Sequence, residues 1–267
     1  LNKPNLSIVI PTYNERENIS KMLGKLKETL RNVKYEIIFV DDNSPDGTSD
    51  EVKFFVQKSP NIHLIHRIGR RGLSGAIIEG IFASNSNLVA VMDCDLQHDE
   101  TKLLGMLALF KQNNSLDLVI GSRFTENGEI SDRAFSKFRE LGSKIVTTII
   151  KKLLNINSTD PLSGFFMVKR DSFLMHSNNL QTQGFKILAD FLVTSGKAIK
   201  VKEVGYRFKN RVSGESKMSL LTALELISLV LSQIFGGKIS IRFILFCMVG
   251  VDRKSTRLNS SHRCISY

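Results

Sequence analysis

The sequence predicts an α/β protein built on a mainly parallel, doubly wound sheet. Three observations carry that prediction. Apolar runs of strand length alternate with amphipathic stretches of helix length through the first two-thirds of the chain. Turn-forming and acidic residues gather where the strand-like runs end, at Pro11 to Glu15, Asp41 to Thr48 and Asp93 to Asp99. The 267 residues, 42% hydrophobic and 24% charged, suit one sizeable folded domain with an appendage rather than a disordered or fibrous chain.

Taken in order, Leu6 to Ile10 is a buried-strand run stopped by Pro11. Ile19, Met22, Leu23, Leu26 and Leu30 then fall on one face of a helix. Glu36 to Val40 reads as a second strand. Thr48 to Lys58 reads as a helix after a turn rich in Asp, Asn, Ser, Pro and Gly. His63 to His66 is a short strand, Leu73 to Asn85 a helix, Leu88 to Met92 a strand, Thr101 to Lys111 a helix and Asp117 to Ile120 a strand. In such sheets ligands bind beyond the carboxyl ends of the strands, where the polar clusters lie.

The last third changes character. Arg139 to Leu154 reads as a basic amphipathic helix, Gly164 to Val168 as a strand, and Phe185 to Val204 as a helix and strand. Ser219 to Phe235 is apolar almost throughout, with Glu225 its only charge, so it reads as a helix in a membrane interface or as a buried core helix. Phe243 to Val251 is either a short buried element or the beginning of a transmembrane helix, since a span needs about 20 residues. The expected organisation is a catalytic domain over 1–217, an interfacial helix and truncated membrane segment over 218–251, and a foreign tail over 252–267. That tail is abruptly polar and reads like a translated sequencing adapter, a plain basic tail being the alternative. The first residue is Leu1 rather than Met and no signal peptide precedes the first strand, so a piece of a longer chain is expected.

Net charge is +11, of which +3 lies beyond Val251 and +8 is spread over the body, notably at Arg67 to Arg71, Lys144 to Lys152 and Lys197 to Lys217. A basic surface suits nucleic acid, anionic lipid or phosphorylated ligands. No nucleic-acid motif accompanies it and Trp is absent, so nucleic acid is not an expected partner. Cys94, Cys247 and Cys264 match neither a disulfide framework nor zinc-ligand spacing, which points to a reducing compartment.

The chemistry sits at the strand ends. In Asp93-Cys94-Asp95-Leu96-Gln97, two carboxylates two residues apart can reach one ligand if the backbone turns, and hard oxygen ligands of this kind suit Mg²⁺ or Mn²⁺ bound to substrate phosphates. Alone, the pattern is equally that of a surface loop. In Asp41-Asp42-Asn43-Ser44-Pro45-Asp46-Gly47-Thr48, the residues suit a well-capped helix start with Asp46 or Thr48 near the N-cap. Adjacent Asp41 and Asp42 instead demand a cation or hydrogen-bond donors nearby. In Pro11-Thr12-Tyr13-Asn14-Glu15, Tyr13 suits base stacking and Glu15 hydrogen bonding, with Asn14 a candidate N-cap. His98 is either a solvent-facing residue or a support behind the ligands, rather than a base. P-loop and Gly-x-Gly-x-x-Gly patterns are absent, which counts against NTPase and dinucleotide oxidoreductase functions.

In this order the three segments resemble the family 2 glycosyltransferases of the GT-A fold, nearest to their polyprenol (dolichol) phosphate mannosyltransferase branch. The resemblance continues through Gly72-Leu73-Ser74-Gly75, Gly121-Ser122-Arg123-Phe124, Asp160-Pro161-Leu162-Ser163-Gly164-Phe165 and Arg211-Val212-Ser213-Gly214-Glu215-Ser216-Lys217. It implies that Pro11, Tyr13, Glu15, Val40 and Asp42 hold the nucleoside, with Ile187 also at the nucleotide-sugar. It implies that Asp93, Cys94 and Asp95 meet the donor diphosphate, and that Asp95 with Gln97 holds Mg²⁺ or Mn²⁺. Arg123, Arg139 and Ser143 would face an acceptor phosphate, and Arg211 and Lys217 would close over both phosphates. Asp93, Asp95, Arg123, Arg211 and Lys217 are then the candidate catalytic residues. Cys94 departs from the small Ala or Gly usual between the two carboxylates and puts a thiol near the metal. The implied reaction is inverting transfer of a hexose, expected to be mannose from GDP-mannose, to a polyprenyl or dolichyl phosphate on the cytoplasmic face of a membrane. UDP-glucose as donor, a membrane glycan as acceptor, and a silent nucleotide- or phosphoinositide-binding module are the alternatives.

Overall fold

The computed structural model describes residues 3–125, 129–130, 158–180 and 187–209, all within one compact unit. Its main sheet has seven strands: β1 (Leu6–Thr12), β2 (Tyr35–Asp41), β3 (Ile62–His66), β4 (Leu88–Val91), β5 (Leu118–Ser122), β7 (Phe166–Lys169) and β8 (Val201–Gly205). Their order is β3-β2-β1-β4-β7-β5-β8. All run parallel except β7, which lies antiparallel between β4 and β5. A separate parallel pair joins β6 (Glu129–Ile130) to β9 (Arg207–Phe208). The helices are α1 (Arg16–Thr29), α2 (Thr48–Lys58), α3 (Leu73–Ala83), α4 (Lys102–Gln112), α5 (Arg170–His176) and α6 (Ile187–Ser195).

The layers follow from side-chain alternation along β1, every residue of which is buried. Leu6, Ile8 and Ile10 share a core with Ile19, Met22 and Leu26 of α1 and Leu103, Met106 and Phe110 of α4. Val9 faces the other way, against Gly80 of α3. A strand buried on both faces must be apolar at successive positions, which is why the run Leu6 to Ile10 has no polar alternation beyond Ser7. Ser7 is tolerated because its hydroxyl donates to Glu36 Oε1 at 2.5 Å.

That Glu36 carboxylate also accepts the Asn85 backbone N–H at 2.7 Å and its side-chain amide at 3.0 Å, tying β2 to the turn before β4. Burial pushes its pKa up, but the hydrogen bonds from Asn85 and Ser7, with the His63 charge, outweigh burial and leave it below the ordinary 4.5. A folded-state pKa below the unfolded one contributes stability above that ordinary value and loses it as pH falls through the lowered one. Glu36→Gln should therefore lower stability near neutral pH and flatten the loss below pH 4.5, measured by urea midpoints across an acid series.

The elements match the sequence expectation closely, Thr48–Lys58 at both ends. The caps do not. Asn14 has φ 60, and α1 is capped by Glu15 without a side-chain cap bond. Gly47, with φ 86, caps α2, while Asp46 accepts the Thr48 N–H at 3.0 Å and the Arg16 N–H at 3.2 Å. One carboxylate thus serves two chain segments, Oδ1 toward Thr48 beside the α2 cap and Oδ2 toward Arg16. No helix among the described residues is long and apolar enough to cross a membrane. The expected segments Arg139 to Leu154, Ser219 to Phe235 and Phe243 to Val251, and the tail from Asp252, lie outside the described residues.

Candidate active site

The sheet has a switch point between β1 and β4. From β1 the chain builds outward to β2 and β3, then returns to place β4 on β1's other side. Loops leaving adjacent strands in opposite directions open a crevice at the carboxyl edge. The polar segments line it: Thr12 to Glu15 after β1, Asp41 and Asp42 at the end of β2, and Asp93 to His98 after β4. Because β7 runs backwards, its entry loop joins the same edge, Phe166 pairing with Val91 and Ile120.

On the β1 and β2 side, Pro11 lies in register with Val40 and Thr12 with Asp41. The adjacent carboxylates that should repel are separated by function. Asp41 accepts from the hydroxyls of Thr12 (3.1 Å), Ser44 (2.5 Å) and Ser49 (2.6 Å) and from the Ser44 N–H (2.9 Å). Asp42 accepts from the Arg67 guanidinium on one oxygen and from the Gly72 N–H at 2.7 Å on the other. Arg67 is 4% exposed and also donates to Glu79 Oε1 at 3.1 Å and to the Gly72 carbonyl at 3.1 Å. Gly72 has φ 139, a conformation that side-chain-bearing residues rarely adopt. Arg70 holds Glu79 by two bonds, at 2.9 and 2.8 Å, and these with the Arg67 and Arg70 charges keep the Glu79 pKa below its ordinary value despite burial. Tyr13 is half-buried, with the Arg71 guanidinium 5.2 Å from its ring centre. Glu15 accepts from the Asn18 amide at 2.6 Å.

At the β4 end, Leu96 adopts φ 63, a rare value for a branched aliphatic residue, and turns the backbone between Asp95 and Gln97. Asp95 is buried and accepts the Gln97 N–H at 3.1 Å. Gln97 donates its amide Nε2 to the Lys209 carbonyl at 2.9 Å and accepts the Lys209 N–H at 3.0 Å, so the strand end after β9 fixes its backbone and side chain. Asp93 lies against Gly164 so closely that a Cβ there would stand 2.9 Å from its Oδ2.

The residues fit a divalent cation that shares its shell with a diphosphate. Asp95 and Gln97 offer oxygens only, held in place by hydrogen bonds. Among the described residues no group of three or more His, Cys, Asp or Glu side chains forms a cation cage. Substrate phosphate and water would have to complete the shell, as is usual for Mg²⁺.

Cys94 does not place its thiol at this station. Its side chain is 2% exposed and belongs to the apolar core with Ile8, Met92 and Leu103. Burial first, then the Glu15, Asp95 and Asp93 charges, pushes its pKa well above the ordinary 9.0, so it remains a thiol and a poor ligand. The packing of the turn after β4 decides this: Met92, Cys94 and Leu96 all belong to the apolar core. Cys94→Ala should keep the transfer rate within about twofold and leave the Mg²⁺-to-Mn²⁺ rate ratio unchanged, at a stability cost of about 1 kcal/mol.

Across the edge, Arg123 donates to Asp160 through Nε (2.7 Å) and Nη2 (2.8 Å), and its N–H adds a third bond at 3.2 Å. Burial opposes the Arg123 charge, but the Asp160 pair outweighs it and the guanidinium pKa is raised. Asp160 is itself seated by Glu203 of β8, which accepts from Ser158, from the Thr159 N–H and from the Thr159 hydroxyl at 2.6–2.7 Å. Ile187 opens α6 and is 4% exposed. Arg139, Ser143, Arg211 and Lys217 lie outside the described residues.

Three contributors were not assigned from the sequence: Arg67, Asp160 and Gly164. For Arg67 a signal existed, because Asp41-Asp42 called for a cation and Arg67 follows β3, the strand next to β2. Asp160 and Gly164 depend on the reversed strand β7, which no local pattern marks.

The model of the family described as glycosyl transferase family 2 matches residues 7–174. The chain belongs to this family. Among relatives of this glycosyltransferase, a dolichol-phosphate mannosyltransferase of Pyrococcus furiosus is 34% identical over 252 residues, covering 92% of this chain and 68% of the relative. One of Mycosarcoma maydis is 31% identical, covering 80% of this chain and 74% of the relative. Glucosyl-3-phosphoglycerate synthase from Mycobacterium tuberculosis, solved in complex with Mn²⁺, UDP and glucosyl-3-phosphoglycerate, superposes with a TM-score of 0.66 at 16% identity, over 86% of this chain and 80% of that one. At that identity the likeness establishes the fold, which is GT-A.

Proposed function

We propose that this glycosyltransferase moves mannose from GDP-mannose to a polyprenyl phosphate, with inversion, at the cytoplasmic face of a membrane. The observation that carries the reading is the extent of the match. The family model ends at residue 174, whereas similarity to the Pyrococcus dolichol-phosphate mannosyltransferase spans 92% of the chain and so takes in the segment that carries Arg211 and Lys217 as well.

In this reading an acceptor phosphate oxygen attacks the anomeric carbon while the bond from that carbon to the diphosphate breaks, and the nucleoside diphosphate leaves. The nucleophile is already anionic, since a phosphate monoester has its second pKa near about 6, so no strong general base is required. Asp95 and Gln97 would hold Mg²⁺ or Mn²⁺, which when bound supplies charge neutralisation at the leaving diphosphate. Tyr13, Glu15 and Asp42 receive the nucleoside, with Arg67 orienting Asp42. Asp93 would meet the donor diphosphate beside that station. Arg123, held rigid by Asp160, offers a fixed positive charge to the acceptor, joined by Arg139, Ser143, Arg211 and Lys217.

Incubation of the full chain with a polyprenyl phosphate, in turn with GDP-mannose and UDP-glucose, tests this. Lipid-linked mannose formed from GDP-mannose only when Mg²⁺ or Mn²⁺ is present is the expected result. Product from UDP-glucose alone would reassign the donor, and transfer confined to soluble glycans would overturn the acceptor.

A further inference from the structure

We infer that His98 is a positioning residue for Asp93, acting through a hydrogen bond from the Asp93 backbone N–H to the imidazole Nδ1. The bond is 3.1 Å long. It settles the tautomer, because a nitrogen that accepts an N–H carries no proton of its own. The ring proton is therefore on Nε2, which stands 3.7 Å from Asp93 Oδ2. At that distance, with Nδ1 used as acceptor, the contact is a neutral N–H directed toward the carboxylate rather than an ion pair. One imidazole thus touches Asp93 twice, once at the backbone and once near the side chain.

The ring is fixed independently of Asp93. His98 is 3% exposed, stacks on Phe165 (ring centres 5.2 Å apart, planes 15° apart), and meets Tyr206 edge-on at 5.8 Å and Phe208 at 6.1 Å. Phe165 precedes β7, while Tyr206 and Phe208 follow β8. Two distant parts of the chain therefore grip a ring whose polar edge faces Asp93. Phe208 also lies 5.4 Å from the Arg123 guanidinium, so the same aromatic cluster backs both the donor side and the acceptor side of the crevice. A residue needed only to fill this volume would be served by phenylalanine. The buried acceptor on Nδ1 is the feature a phenyl ring cannot supply, and its loss would remove the bond from the Asp93 N–H to the ring. A displacement of about 1 Å at a reacting centre can cost about 10²-fold in rate.

The kinetic side of the test rests on the proposed transfer reaction, and a second measurement does not. His98→Phe should lower kcat about 10²-fold while the donor KM stays within about threefold. His98→Asn, whose side-chain oxygen takes the place of Nδ1, should recover at least about tenfold of that loss. His98→Gln, which puts its amide near the Nε2 position and supplies no acceptor at the Nδ1 position, should not. Should the Phe variant fail to fold, the contrast between Asn and Gln decides. In ¹⁵N-labelled full-length wild-type protein, His98 Nδ1 should appear as an unprotonated nitrogen with a scalar coupling across the hydrogen bond to Asp93 N. Absence of that coupling, a His98→Phe variant with kcat within about twofold of wild type, or equal losses in Asn and Gln would overturn the inference. Failure of the wild type to transfer mannose would count against the proposed function alone, because the coupling would still report the His98–Asp93 bond.

Discussion

Replacing Asp95 by alanine is expected to lower metal-dependent transfer by about 10³-fold or more while the fold survives. The charge that develops on a departing diphosphate is worth several kcal/mol of stabilisation from a bound cation, and about 4 kcal/mol corresponds to that factor. Asp95 is the carboxylate best placed to hold such a cation: it is buried, and its Oδ1 is oriented by the Gln97 N–H. Removing it orphans that N–H, at a cost of about 1 kcal/mol, which a folded domain tolerates. Rates measured over a Mn²⁺ series, with Mn²⁺ binding followed by the loss of the free-ion spin-resonance signal, check both halves. A variant that transfers at the wild-type rate would remove Asp95 from the metal site.

The second large effect is on stability. Asp42→Ala should destabilise the protein by about 3 kcal/mol, seen as a lower urea midpoint with an unchanged slope. Truncating one member of a buried ion pair leaves the other charge without compensation, which typically costs about 3–5 kcal/mol. Arg67, only 4% exposed, would keep its bond to Glu79, which sets the expectation at the lower end. The Gly72 N–H would also lose its acceptor at the entry to α3. Asp42→Asn retains an acceptor for Gly72 and should cost less. An alanine variant as stable as wild type would mean that the Arg67 network serves binding alone.

Much of this architecture was legible in the residues. The strand and helix positions of the first 122 residues follow from apolar spacing, because a doubly covered sheet needs continuous apolar strands and its helices need one apolar face. The three polar clusters were legible as strand ends for the same reason. Their specific roles came from resemblance rather than from periodicity, since Asp-x-Asp or Asp-Asp alone is equally a surface loop.

Other features needed the third dimension. The α1 cap went to Glu15 instead of Asn14, while the α2 cap is Gly47, between the two residues expected near it, and Asp46 also accepts the Arg16 N–H, thirty residues away in sequence. Cys94 reads as a thiol beside a metal until the turn after β4 packs it, with Met92 and Leu96, into the core. His98, for which a solvent-facing place was one expectation, is enclosed by aromatic residues from two distant strand ends.

The sequence by itself determined the order of strands and helices, the placing of acidic residues at the carboxyl edge of the sheet and the membership of family 2, because each is written in local spacing or in motifs. Only the tertiary structure decided which charges neutralise one another, Arg67 with Asp42 and Arg123 with Asp160, and which ring supports Asp93. Those pairings join residues 5, 25 and 37 positions apart across a sheet with one reversed strand. No local pattern encodes them, since burial makes a charge or a buried N–H find a partner without prescribing where along the chain that partner lies.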